Sequence, residues 1–180
     1  MFATILRALA PGRTRQLGKA ENAFVSLIAV LTSAFFLTLA FGVYVNSQYA
    51  LNWFLGAILA VAFLTTTGNP DRPTGRSVFS WAAAAASIGI LVYFTAMQPV
   101  YEMRLPMIDG LTLADQIAGV ALILLVLEAT RRCIGMTLVI VVLTFLVYGI
   151  YGHHLTGPFW HRELSLEDML YQIVFTTNGL

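Results

Sequence analysis

The run from Thr112 to Tyr151 constrains this chain more than any other stretch. Two apolar blocks are parted by one charged knot, Glu128-Ala129-Thr130-Arg131-Arg132. Each block holds about 18 residues, close to what a helix needs to cross roughly 30 Å of hydrocarbon. A helix on the surface of a soluble domain carries a polar face, and neither block has one. Both therefore read as membrane spans, with the knot as a short basic turn between them.

The composition extends this reading to the whole chain. Charged residues make up 11% and the mean hydropathy is +0.79, whereas soluble domains average about 25% charged. Several spans and short loops fill the 180 residues, leaving no room for a separate soluble domain. Cys133 is the only cysteine, which excludes an intrachain disulfide and a thiolate metal cluster. It reads as an inert small residue.

Taken in order, Met1–Glu21 carries Arg7, Arg13, Arg15 and Lys19 against one acid, Glu21. The apolar block Ala23–Val45 behind it exceeds the roughly 7–15 residues of a signal-peptide core, and is expected to be an uncleaved first span. Leu6, Leu9 and Ala10 beside Arg7 fit either a surface helix on anionic lipid or plain disorder. A polar turn at Asn46-Ser47-Gln48 precedes a second span over Tyr49–Thr67. The breaker-rich stretch Gly68–Arg76 is a loop. The third span, Val78–Met97, contains Ala82 to Ala86, Ser87 and Gly89. Small side chains let helix backbones approach, so it is expected in the middle of a bundle. Gln98–Gly110 holds two prolines and reads as a loop. Thr112 then caps a fourth span, with Asp115 completing a capping box; a helix N-terminus favours such an acid. Ser165 and Asp168 form a second capping box. Behind it Leu166, Met169, Leu170, Ile173 and Val174 recur at helical spacing. That segment is too short to span, and an amphipathic helix in the interface is expected.

Alternating crossings put Met1–Glu21, the Gly68–Arg76 loop and the Arg131-Arg132 turn on one side. They hold eight of the ten basic residues; only Arg104 and Arg162 fall opposite. The bias of Lys and Arg toward cytoplasmic loops then places the amino terminus in the cytoplasm and Leu180 outside. Tyr44, Tyr49, Trp53, Tyr93, Tyr101, Tyr148, Tyr151 and Trp160 gather near the outer ends, where amphipathic rings favour the interface.

Little in the chain points to chemistry. Glu128 meets Arg131 at i+3 and Arg132 at i+4. The knot reads either as a snorkelling anchor for the turn or, with Glu128 reaching another helix, as a fixative for the assembly. An ion-coupling role for Asp115 is the functional alternative to its capping role. His153, His154 and His161 lack an acid or thiol at ligand spacing. HExxH, GxSxG, P-loop and GxGxxG patterns are absent from the sequence, and the scattered basic residues give no nucleic-acid pattern. The expectation is a non-enzyme with neither cofactor nor metal, whose surroundings are the lipid bilayer.

The run Leu127-Glu128-Ala129-Thr130-Arg131-Arg132, with Gly135 and a span ending Phe145-Leu146-Val147-Tyr148-Gly149, resembles the permeases of tripartite ATP-independent periplasmic (TRAP) transporters. The likeness is strongest to the TAXI-type branch, in which small and large membrane subunits are fused. His161, Ser165, Leu166, Leu170, Tyr171 and Thr176-Thr177-Asn178-Gly179 resemble a segment of the same family, with Asn178 where the family usually has Glu. The resemblance covers about residues 112–180. It implies a bacterial inner-membrane protein that serves binding-protein-dependent, ion-driven uptake of organic acids. Its partners would be a large permease subunit and a periplasmic substrate-binding protein. Residues 22–132, behind the basic segment 1–21, would correspond to the four-span small subunit. Residues 133–180 would be the start of the large subunit. In that family the substrate and sodium sites lie on re-entrant hairpins further along the large subunit. The chain would then be a split subunit, a truncated product or a piece of a fusion, acting as scaffold. A generic membrane assembly protein without a transport role would show the same spans. The fold expected on either view is an all-α integral membrane bundle of about five transmembrane helices plus a C-terminal amphipathic helix.

Overall fold

The computed structural model describes residues 13–14, 17–42, 45–67, 78–104 and 109–175. Among these residues six α-helices run α1 Lys19–Ala40, α2 Ser47–Thr65, α3 Val78–Met103, α4 Leu113–Cys133, α5 Met136–Tyr151 and α6 Leu166–Val174. Two single turns of 3₁₀ helix, Gly152–His154 and Gly157–Phe159, link the last two helices. The one extended pairing among the described residues joins Arg13–Thr14 to Thr66–Thr67 in antiparallel register. Helices α1 to α4, and α5 together with the 3₁₀ turn that continues it to His154, are each long and apolar enough to cross a membrane. The chain is a multi-pass, all-α membrane protein. The 19 residues of α2 rise about 28 Å at 1.5 Å per residue, one bilayer core.

Helix ends follow local chemistry and shift several expected boundaries. α1 stops at Ala40 instead of continuing to Val45, because Gly42 adopts φ 91°, a left-handed conformation that ends helices and that glycine tolerates. Asn46 accepts a hydrogen bond from the Gln48 backbone N–H at 2.9 Å. It thereby caps α2 and draws Ser47 and Gln48 into the helix. α3 continues past Met97 to Met103 with Pro99 inside it. Proline removes one backbone donor, and a membrane helix accommodates that when neighbours satisfy the freed groups. The extra turn carries Tyr101 and brings Arg104 toward α4. Gly135, at φ 115°, turns the chain between α4 and α5, and its N–H bonds the Thr130 carbonyl at 3.2 Å.

The core lies between α2, α3 and α4. Leu59, Phe63 and Leu64 of α2 meet Ala83, Ala84, Leu91 and Phe94 of α3 and Leu122 and Ala129 of α4. Ser80, Ala83, Ala84, Ser87, Leu91, Phe94 and Gln98 form the buried stripe of α3, which lets α3 pack against both neighbours. α6 turns Leu170 and Val174 onto α4, beside Gly119. The flanking helices are bare: none of the α1 window and 11% of the α5 window is buried. Apolar side chains displayed on this scale belong in hydrocarbon. There, helix association depends on close packing and polar contacts more than on the hydrophobic effect.

The spans alternate in space. The starts of α1 and α3 and the ends of α2 and α4 share one end of the bundle, called here the basic end. The N-terminal stretch with Arg7 and Arg15, the loop with Arg72 and Arg76, and the Thr176–Gly179 motif lie outside the described residues.

Candidate functional site

Two polar ties hold the bundle, one at each end. At the basic end, both guanidiniums flank the Glu128 carboxylate. Arg131 donates from Nε to Oε2 and from Nη2 to Oε1, each at 2.8 Å, and Arg132 donates from Nε to Oε1 at 2.8 Å. The fork geometry of guanidinium suits a carboxylate in this way. The two arginines then diverge. The Arg131 side chain keeps 34% exposure while that of Arg132 keeps 3%. Arg132 donates from Nη1 to Ser80 Oγ of α3 at 2.9 Å and to the Thr66 carbonyl beyond α2 at 3.4 Å. Its guanidinium carbon stands 5.1 Å from the Phe63 ring centre and 5.4 Å from that of Phe79. A desolvated guanidinium over aromatic faces gains cation–π attraction as well. Glu128 stays on its own helix; Arg132 is the residue that crosses to the neighbours, and it does not snorkel to water.

At the other end Asp115 is 1% exposed. Its Oδ1 accepts from the hydroxyls of Tyr93 at 2.7 Å and Tyr101 at 2.6 Å, both on α3. Its Oδ2 accepts from Arg104 Nη1 at 2.8 Å, from Thr112 Oγ at 2.7 Å and from the Thr112 N–H at 3.1 Å. Thr112 Oγ in turn accepts from the Asp115 N–H at 3.2 Å, completing the box. The Asp115 bond holds the Arg104 guanidinium further into its charged range, against the opposing effect of burial. Five donors on two oxygens leave this carboxylate no lone pair directed at a passing ion. The arrangement gives Asp115 a structural role: it welds the end of α3 to the start of α4.

Smaller contacts extend this end. Asn46 Nδ2 donates to Glu102 Oε1 at 2.6 Å, and the Leu111 N–H donates to Glu167 Oε1, joining the entrance of α6 to that of α4. Ser165 and Asp168 cap α6 reciprocally, Ser165 Oγ donating to Asp168 Oδ2 at 2.8 Å and accepting from the Asp168 N–H at 3.0 Å. His161 closes the segment after α5. Its Nε2 lies 2.9 Å from the Tyr148 carbonyl and its Nδ1 2.6 Å from that of Arg162. Carbonyls only accept, so both nitrogens donate when the ring is charged. The Tyr148 contact first, and then that of Arg162, push its pKa up from the ordinary 6.5.

The histidines do not converge. The rings of His153 and His154 lie 3.9 Å apart between centres and tilted at 43°, while His161 points at backbone. Among the described residues no group of three or more His, Cys, Asp or Glu is arranged to hold a metal. Sequence reasoning singled out Glu128, Arg131, Arg132, Thr112 and Asp115 but missed Ser80, Thr66, Tyr93, Tyr101 and Arg104. One signal was available: Tyr93 and Tyr101 are eight apart, on one helix face, and Arg104 is the lone base near them. No protein-family model, curated protein or solved structure matches the chain.

Proposed function

We propose that this protein is the scaffold part of a TRAP-type secondary transporter: a membrane component that holds a large permease subunit and does not itself carry the transport site. The observation that carries this reading is the fate of Glu128–Arg132. The residues that most resemble the family motif fold into a buried tie across α2, α3 and α4. Secondary transporters build substrate sites near the midplane from broken helices. Here Asp115 and Arg132 lie at the two bundle ends and join α4 to its neighbours. Substrate and sodium sites are assigned to the large subunit, and substrate delivery to a periplasmic binding protein. By the sequence bias, in which alternating crossings put eight of ten Lys and Arg on the side of the Arg131-Arg132 turn, that side faces the cytoplasm of a bacterial inner membrane.

The test is affinity purification of the tagged chain from membranes of its own host in mild detergent. Recovery of a multi-span permease together with a periplasmic binding protein is expected. Recovery of neither, or of an unrelated membrane complex, would leave a general assembly protein as the better reading.

A further inference from the structure

Two aromatic contacts are among those that join α1 to the rest of the bundle. Phe24 meets Trp81 of α3 at 6.3 Å between ring centres, and Phe36 meets Phe54 of α2 at 5.1 Å. Between them a cavity of about 400 Å³ opens among α1, α2 and α3. That volume falls within the range of roughly 300–1,000 Å³ typical of small-ligand sites. Its walls are apolar, among them Leu31, Phe35, Ala57, Ile88 and Val92, with Asn52 as the one side-chain amide.

Asn52 is 9% exposed, and its amide has no hydrogen-bond partner among the described residues. A buried amide without a partner is costly in an apolar medium. Its two N–H donors and one acceptor therefore call for a group that enters the cavity. Two more buried amides share its level. Gln48 precedes Asn52 by one turn at 9% exposure, and Gln98 of α3 is 7% exposed; neither side chain has a hydrogen bond among the described residues. The Asn46–Glu102 bond and the approach of Gly56 to Leu91 fix α2 antiparallel to α3, which sets Gln98 level with Gln48 and Asn52.

We infer that this cavity is a lipid site, holding one acyl chain of a bilayer glycerolipid whose ester carbonyl accepts a hydrogen bond from Asn52. Depth decides the orientation. Asn52 is five residues into α2, about 7.5 Å from its first residue, on the Asp115 side of the bundle. The cavity then continues past Ala57, at mid-helix, to Ala60. A polar group near the helix end followed by an apolar channel running inward matches a lipid ester and its chain. The surrounding helices are membrane spans, so bilayer lipid is also the most concentrated molecule at the entrance. An isoprenoid quinone offers a carbonyl and an apolar tail too, and the experiment separates the two.

The full chain is purified in mild detergent, washed extensively, and extracted for quantification of glycerolipid phosphorus and of quinone absorbance. Two variants accompany it. Asn52→Leu keeps the side-chain size and removes the donors, and Ala57→Trp fills the channel. The wild type is expected to retain about one glycerolipid per chain, with retention falling roughly tenfold in Asn52→Leu, as loss of one hydrogen bond allows, and at least as far in Ala57→Trp. Asn52→Leu replaces an unpaired amide by an apolar group in a membrane span, so it is the variant that keeps the test decisive should Ala57→Trp not fold. Equal retention by wild type and Asn52→Leu, no retained lipid in the wild type, or quinone in place of glycerolipid would each overturn the assignment.

Discussion

Arg131 and Arg132 are neighbours in sequence and opposites in environment, and their substitutions should differ accordingly. Removing the Arg132 side chain leaves Ser80 Oγ and the Thr66 carbonyl without their donor and uncovers the faces of Phe63 and Phe79. Breaking a fully buried ion pair costs about 3–5 kcal/mol. Glu128 is a quarter exposed and keeps Arg131, so Arg132→Ala should cost less, about 2–3 kcal/mol. Arg131→Ala removes a half-exposed partner and should cost no more than about 1 kcal/mol. Unfolding of the two variants in the same detergent checks the order, and a larger loss for Arg131→Ala would contradict the tie. His161 makes a prediction about pH. Its folded-state pKa is raised above 6.5 by the carbonyls of Tyr148 and Arg162. A raised pKa means that the charged ring stabilises the folded segment, fully so below the unfolded value and no longer once pH has risen through the folded value. Amide exchange at Trp160, whose N–H bonds the Gly157 carbonyl, should therefore accelerate as pH rises from below 6.5, beyond the intrinsic rate increase. His161→Gln should remove that extra dependence. Gly152→Ala should do the same, because a methyl there overlaps the His161 ring. Exchange that follows the intrinsic rate alone in the wild type would mean that the His161 clamp does not form.

At the scale of elements, α4 is the helix that both ties share: Asp115 begins it and Arg132 ends it. Asp115→Asn tests the first tie. An asparagine places an NH₂ among groups that donate, and it leaves Arg104 without its counter-charge in a site 1% exposed. Charge-assisted hydrogen bonds are worth roughly 1.5–3 kcal/mol each, so the loss should exceed that of Tyr93→Phe or Tyr101→Phe, each of which deletes one neutral donor. Thermal unfolding ranks the three, and a milder effect for Asp115→Asn would show that the carboxylate charge is not what joins α3 to α4. Which of these features the sequence makes legible depends on distance along the chain. The spans are legible because hydrocarbon imposes a length of apolar residues that can be read directly. The boxes at Thr112–Asp115 and Ser165–Asp168 are legible because a cap is an i, i+3 pattern. The partners of the ties are not. Ser80 and Thr66 lie 52 and 66 residues from Arg132, and Tyr93 lies 22 from Asp115. Helix packing brings them together, and no periodicity within one segment encodes it. Pro99 hid the last turn of α3 for a related reason. Proline reads as a stop in water, while in a membrane the backbone has no better alternative to staying helical.

At the scale of the whole molecule, the ties at the two ends give the α4–α5 hairpin two separate reasons to sit as it does, and they can be told apart. One is the charge bias: if the spans alternate, the sequence puts eight Lys and Arg on the side of the Arg131-Arg132 turn against two opposite, and Arg131→Ala with Arg132→Ala reduces the eight to six. Basic residues in a short turn beside a span weigh heavily in orientation. The other is the tie itself, which Arg132 makes and Arg131 largely does not. An introduced thiol reads the outcome. Leu155, 46% exposed just beyond α5, is replaced by cysteine after the exposed Cys133 has been replaced by serine. With the basic end in the cytoplasm, a membrane-impermeant thiol reagent added to intact spheroplasts should label Leu155→Cys. The double arginine variant should lose a large part of that labelling, of the membrane-inserted yield, or of both. The singles assign the cause: both remove one charge, so equal losses in Arg131→Ala and Arg132→Ala point to the charge bias, while a loss confined to Arg132→Ala points to the tie. Labelling and yield unchanged in the double variant would mean that the knot is passive, and that the hairpin is held by the Asp115 end and by apolar packing alone.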